Sequence, residues 1–319
     1  MSFFLGIDGG GSKTECGLAD EAGAVLARAA GAGTNLRRIS PVELRATLED
    51  CVEQLRRTAG LPAMVVEAVC AGFAGAAHPE ARGMAREVLA KLLSPRWLYV
   101  VGDMEIALEA AVGAGQGVVL VAGTGSIAYG RNGLGQQARA GGRGPLGAVN
   151  GEEVGDEGSG FDIGRRAVAA VRRAHEGYGP NTMLTEILPQ ALKVTGIEGL
   201  EARVSSPGAA ELAALVPRVV QAARAGDRPA QEILERAGDA LAGLALAVLE
   251  RLDLLRTAVR VATTGGVFAE SAEVFARVRE GIRATAPRAR VELLGVAPAE
   301  GAVRLALRLW LQERAATLA

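Results

Sequence analysis

The chain has 319 residues, 49% of them hydrophobic and 22% charged, with a formal net charge of −1. That length predicts about two domains, each able to bury a core, and so even a charge balance provides no field for nucleic acid or an anionic membrane, so neither is expected as a partner. No apolar run reaches the roughly 18 residues of a membrane span, and the N-terminus enters a strand without a basic, cleavable leader, so a cytoplasmic protein is expected.

An apolar, strand-like run over 3–8 stops in Gly9-Gly10-Gly11-Ser12-Lys13-Thr14. A second strand over 15–19, a turn at Asp20-Glu21-Ala22-Gly23 and a third strand over 25–30 follow. Ser40-Pro41-Val42-Glu43 combines a capping serine, a first-turn proline and a glutamate three residues after the cap, which predicts a helix over 41–59. Strands over 67–71 and 97–101 then alternate with helices over 79–93 and 104–112, a pattern that predicts a sheet covered by helices.

The order then starts again. A strand over 118–122 runs into Gly123-Thr124-Gly125-Ser126, a strand over 127–130 reaches a turn at Arg131-Asn132-Gly133, and a third strand covers 136–140. This reads as an internal duplication of the first unit. A Gly-rich segment (141–160) leads to predicted helices over 161–175, 183–194, 209–225 and 229–252. The chain returns to α/β with a strand over 259–264 entering Gly265-Gly266, a helix over 270–285, a strand over 289–294 and a helix over 298–316. The expected domains are 1–115, with 298–319 packing on it, and 116–297.

Three strand ends in Gly-rich turns point to phosphate. Turns without β-carbons let backbone N–H groups converge on anionic oxygens, and the hydroxyls of Ser12, Thr14, Thr124 and Ser126 are expected to add donors there. Asp8, immediately before the first turn, is either a buried capping group or the holder of a Mg²⁺ ion and its waters beside phosphates. Lys13 either donates to a phosphate or extends from the hairpin into solvent. Asp103 closes one strand and opens a helix, where it reads as an N-cap, as a carboxylate within reach of a reacting hydroxyl, or as both. Asp156-Glu157-Gly158-Ser159-Gly160 is either a capping turn or a source of carboxylates for sugar hydroxyls, and Asn35, in Gly33-Thr34-Asn35, has an amide suited to vicinal hydroxyls. Cys16, Cys51 and Cys70 lack CxxC spacing and read as small apolar fillers, and His78 and His175 as surface residues.

Asp8 to Thr14, Gly33-Thr34-Asn35, Gly102-Asp103, Gly123 to Ser126, Gly141-Gly142-Arg143-Gly144, Gly155 to Ser159 and Thr264-Gly265-Gly266 stand in the order and spacing of the N-acetylglucosamine kinases and the bacterial BadF-type ATPases grouped with them. The chain resembles that family over nearly its whole length. The resemblance implies an α/β, two-lobed actin-like ATPase fold with duplicated ribonuclease-H-like domains and a central cleft. It also implies ATP and Mg²⁺ as cofactors, phosphorylation of an amino sugar at the 6-hydroxyl, and a homodimer. It assigns Asp103 as general base. Gly10, Gly11, Ser12, Lys13, Thr14, Gly123, Thr124, Gly125, Ala213, Gly265 and Gly266 fall to the nucleotide and its phosphates. Asn35, Ser126, Ile127, Gly142, Arg143, Gly144 and Asp156 fall to the sugar, and Asp8 to the metal.

Two departures fall on the sugar side. Arg143 stands where the family usually has tryptophan, and several extra residues, including Asn150, Glu152 and Glu153, precede Asp156. Arg143 either reads an acidic group on the acceptor, as muramic acid derivatives carry, or is solvated or paired with Glu152 or Glu153. The related activator ATPases couple hydrolysis to a cluster shared between subunits, a second reading for which the three cysteines lack the expected pattern.

Overall fold

The computed structural model describes residues 2–62, 64–142, 144, 147–149, 152–204 and 208–318. Two compact units form: residues 1–115 with 294–319, and residues 116–293. In chain order the first contains β1 (Phe3–Gly9), β2 (Lys13–Ala19), β3 (Val25–Ala32), α1 (Pro41–Thr58), β4 (Val66–Phe73), α2 (Pro79–Leu93), β5 (Trp97–Gly102) and α3 (Asp103–Val112). The second contains β6 (Gly117–Ala122), β7 (Ser126–Arg131), β8 (Gln137–Gly141), β9 (Gly147–Val149), β10 (Glu152–Val154), α4 (Gly160–His175), α5 (Leu184–Leu192), α6 (Gly196–Val204), α7 (Ala209–Ala213), α8 (Val216–Arg224), α9 (Arg228–Arg251), β11 (Arg260–Thr264), α10 (Gly266–Glu270), α11 (Ala272–Thr285) and β12 (Arg290–Leu293). The last helix, α12 (Pro298–Leu318), returns to the first unit.

The two sheets have one topology. The first is ordered β3-β2-β1-β4-β5 and the second β8-β7-β6-β11-β12, each with an antiparallel three-strand meander and two strands added in parallel. The duplication read from the order of turns is therefore a duplication of strand pairing. Each parallel addition needs a crossover, and helices such as α1 and α9 supply it.

In the first unit β1 is buried along almost its whole length, with Phe4 and Leu5 fully enclosed. One face of its sheet packs on Leu44, Leu48 and Leu55 of α1, whose N-terminus forms the expected capping box between Ser40 and Glu43. The other face receives α12. Gly6 makes that approach possible, since a β-carbon there would sit 2.2 Å from the Ala299 carbonyl oxygen. Phe4 and Trp310 meet edge to face at 5.0 Å, and the buried Glu109 of α3 takes two hydrogen bonds from Arg308 (3.0 and 2.8 Å). The second unit packs its core around α9, whose inward stripe includes Leu241, Ala245 and Val248.

Several elements differ from the expectation. The single helix over 209–225 is two, α7 and α8, because Pro217 has no N–H to continue the first and instead sits in the opening turn of the second. The helix expected over 270–285 is α11, which starts at Ala272 because Ser271 leaves helical geometry and caps Val274, and a short α10 that was not anticipated precedes it. The helix over 183–194 ends at Leu192, where Lys193 turns left-handed. α6 was not anticipated, nor was the β9–β10 ribbon inside the Gly-rich segment, and Arg131 belongs to β7 rather than to the turn.

Candidate active site

In the first unit the chemistry gathers at the carboxyl ends of three adjacent strands. Register places Gly9 of β1 opposite Phe73 of β4, and Phe73 opposite Gly102 of β5, so Asp8 and Asp103 share one rim of the sheet. The turn after β1 is tight, with Gly10 N–H donating to the Lys13 carbonyl (3.0 Å). A neighbouring loop closes on it. Thr34 N–H donates to the Gly10 carbonyl (2.9 Å) and Leu36 N–H to the Ala74 carbonyl (3.0 Å), while a β-carbon on Gly33 would meet the Gly11 carbonyl oxygen at 2.5 Å. Asn35 thus reaches the same rim as the glycine turn. Its Oδ1 accepts from Arg37 N–H (3.0 Å).

Asp103 is the first residue of α3 and not its cap. Gly102 is the cap residue, and Glu105 Oε1 accepts its N–H (2.9 Å). One oxygen of Asp103 accepts from Met104 N–H (3.0 Å). Burial raises the Asp103 carboxyl above the usual carboxylate range, against the pull of that bond. The Asp8 carboxyl is pushed up to about 7, first by burial and then by the charges of Asp103 and Glu15, with Lys13 opposing.

Two hydroxyls expected to face phosphate are otherwise engaged. Thr14 is fully buried, its Oγ1 donating to the Ala32 carbonyl (2.6 Å) and lying 2.8 Å from Thr34 Oγ1. In the second unit Ser126 Oγ donates to the Glu157 carbonyl (2.8 Å) and Ser126 is 2% exposed. Both side chains pin loops, because a buried hydroxyl must find a partner and the backbone supplies the nearest one. Lys13 is exposed and paired with Glu15 (2.9 Å). Ser12 and Gly11 lie open at the tip of the turn.

The second unit repeats the arrangement. Gly123 N–H donates to the Gly125 carbonyl (2.9 Å), and the amides of Gly160 and Phe161, opening α4, donate to the carbonyls of Gly123 (2.8 Å) and Thr124 (3.2 Å). Asp156, with φ of 54°, accepts from Ser126 N–H (3.3 Å), and burial raises its carboxyl also. Gly142 N–H donates to the Ser126 carbonyl (2.8 Å), and a β-carbon on Gly142 would press on Ile127 at 2.5 Å. Gly265 adopts φ of 111° against the Ala122 carbonyl, and Ala213 abuts Gly160. The structure therefore brings Gly123, Thr124, Gly125, Ser126, Ile127, Gly142, Asp156, Ala213 and Gly265 around one turn. Gly266 opens α10 beside them, and Gly144 has φ of 76° with open space around it. Arg143 and Asn150 lie outside the described residues, as do the side chains of Glu152 and Glu153.

Three supporting residues carried no expectation. Glu105 caps α3, Thr34 holds Thr14, and the buried Asp162 accepts from Gly158 N–H (3.0 Å) and so fixes the loop bearing Asp156. The spacings Gly102-x-x-Glu105 and Ser159-x-x-Asp162 are the sequence signals that mark two of them. Cys16, Cys51 and Cys70 are all buried and free, and among the described residues no three His, Cys, Asp or Glu side chains cluster as a metal site. No helix among them is long and apolar enough to cross a membrane.

The chain is 30% identical to an N-acetylmuramic acid/N-acetylglucosamine kinase from Clostridium acetobutylicum, covering 96% of this chain and 98% of that one. It is 30% identical to an N-acetyl-D-glucosamine kinase from Dictyostelium discoideum, over 79% of this chain and 80% of that one. The crystal structure of a candidate N-acetylglucosamine kinase from Chromobacterium violaceum superposes with a TM-score of 0.79 at 26% identity, covering 96% of this chain and 99% of that one. These matches support an α/β, actin-like two-domain ATPase fold. The model of the BadF/BadG/BcrA/BcrD ATPase family matches residues 5–306, and the chain belongs to that family.

Proposed function

We propose that the protein is an ATP-dependent kinase of N-acetylated amino sugars that phosphorylates the 6-hydroxyl. The observation that carries this reading is Asp103, a desolvated carboxylate at the carboxyl end of β5 on the same strand rim as Asp8. Support comes from a curated relative, matched over nearly the whole chain, that phosphorylates two such sugars. In this reading Asp103 accepts the hydroxyl proton as the sugar oxygen bonds to the γ-phosphorus and the bond from that phosphorus to the bridging oxygen breaks, releasing ADP. Met104 N–H holds one carboxylate oxygen, so the other receives the proton.

The amides of Gly11, Ser12 and Lys13 and those of Thr124 and Gly125 serve as phosphate donors, while the Gly10 and Gly123 amides close the two turns, and Gly265, Gly266 and Ala213 lie toward the nucleotide. Thr14 acts by holding the turn. Ser126, with its hydroxyl, amide and carbonyl all engaged, holds the second turn, and Asn35, Ile127, Gly142, Gly144 and Asp156 read the sugar. Asp8 suits Mg²⁺, because a carboxylate whose pKa is pushed up to about 7 by burial and a neighbouring carboxylate is short of a countercharge. Bound there, the cation would neutralise charge on the transferred phosphoryl group.

The acceptors we infer are N-acetylglucosamine and N-acetylmuramic acid, the latter through Arg143, whose guanidinium suits a lactyl carboxylate. The activator-type reading is disfavoured by the cysteines, since thiols packed inside a core present no ligands to a cluster shared between subunits. The test is ADP release from ATP with Mg²⁺ against a panel of amino sugars and neutral hexoses, on wild type and Asp103→Asn. Acceptor-dependent release lost in the variant is the expected result, and release that no acceptor raises would overturn the proposal. Arg143→Ala should selectively weaken use of N-acetylmuramic acid.

A further inference from the structure

The second unit carries an open cavity of about 550 Å³, lined by α4, α9 and the segment near Pro180. Its position follows from helix periodicity. Arg165, Arg166, Ala169, Arg172 and Arg173 recur at intervals of three, four and seven along α4 and so share a face, and Arg236 of α9 joins them. Five guanidinium groups thus line one concavity in a chain whose net charge is only −1. The one carboxylate in the lining, Glu232, is already held by Arg228 (3.0 Å).

The arginines divide into two sets. Arg165 and Arg166 are fixed from behind by the buried Asp162, at 2.7 and 2.9 Å, and are only partly exposed. Arg172, Arg173 and Arg236 are exposed and have no ion-pair partner among the described residues. Like charges gathered without counterions raise the folded chain's free energy, and an anion relieves that cost. Arginine in particular matches phosphoryl oxygens in a bidentate way. The cavity is also too large for a single phosphate, and Ala169, Ala170, Pro180, Pro229 and Ile233 give it an apolar floor on which a carbon skeleton can rest.

We propose that this cavity is a binding site for a phosphorylated small organic molecule, with the phosphoryl group on Arg172, Arg173 and Arg236 and the sugar or base on the apolar floor. The site shares no residue with the candidate active site, and the inference does not depend on the kinase reading. A sugar phosphate and a nucleotide present the same phosphoryl chemistry, so the experiment carries an arm for each.

Wild-type protein would be treated with an arginine-specific dicarbonyl reagent, and the modification rates at Arg172, Arg173 and Arg236 read by peptide mass spectrometry. The probes are N-acetylglucosamine 6-phosphate, ADP, inorganic phosphate and unphosphorylated N-acetylglucosamine. The expected result is at least fivefold protection of the three arginines by one of the two organic phosphates, weaker protection by inorganic phosphate and none by the neutral sugar. Calorimetry on Arg172→Ala/Arg173→Ala/Arg236→Ala, whose substituted side chains are exposed, should show the same organic phosphate losing at least one equivalent or binding tenfold more weakly, with the wild-type affinity falling as salt rises. Equal rates with every probe would overturn the proposal. Equal protection by inorganic phosphate would overturn the role of the apolar floor.

Discussion

Asp8 and Asp103 occupy one sheet rim, and the charge of Asp103 is, after burial, the largest influence holding the Asp8 carboxyl near a pKa of about 7. Two desolvated carboxylates that feel each other's charge are costly unless a proton or a cation intervenes. The pair therefore makes the rim a place where protons and divalent cations compete.

The pH consequence has a definite sign. Because the folded pKa of Asp8 lies above the unfolded value, the folded state holds the proton more tightly, and stability from this group is full below about pH 4 and lost as pH rises toward 7. In chelator, Asp8→Asn should flatten that slope and melt higher than wild type at pH 8. Melting curves at pH 5 and 8 check this. With Mg²⁺ present, the apparent metal affinity of wild type should weaken about tenfold per unit below pH 7, and that of Asp8→Asn should be weak throughout.

Asp103→Asn keeps the shape and the acceptor for Met104 N–H while removing the base. Turnover should fall by about 10²–10⁴-fold, with ATP affinity changed by no more than about twofold. Steady-state kinetics with equilibrium nucleotide binding separates the two. Glu105→Ala, which leaves Gly102 N–H uncapped, should lower turnover and cost about 1 kcal/mol of stability.

Thr14→Val removes the buried hydroxyl that joins the Ala32 carbonyl to Thr34. It should cost about 1–3 kcal/mol, because buried partners are stranded. Thr34→Val should cost a similar amount and the double variant clearly less than the sum, since the pair shares one hydrogen bond. Denaturant titration of the three variants gives the coupling directly.

Adjacent glycines should behave oppositely. Gly265 holds φ of 111° and its β-carbon would lie 2.3 Å from the Ala122 carbonyl oxygen, so Gly265→Ala should cost more than about 2 kcal/mol and raise the KM for ATP. Gly266 faces open space at the start of α10, so Gly266→Ala should stay within about 0.5 kcal/mol of wild type. Chemical denaturation of the two variants side by side is the check.

Local chemistry was enough to read much of this molecule. Apolar runs stopping in glycine mark β1, β6 and β11, and Ser40 with Glu43 marks the start of α1, because strand ends and helix caps depend on a few neighbouring residues. The repeat of that order also foretold the shared pairing of the two sheets. Where neighbours in space decide, the sequence was silent. Whether the hydroxyls of Thr14 and Ser126 face a ligand or a backbone carbonyl depends on segments 18 and 31 residues away. The pKa of Asp8 and the arginine-lined cavity belong to the tertiary structure alone, because desolvation and charge density arise only when distant segments are packed together.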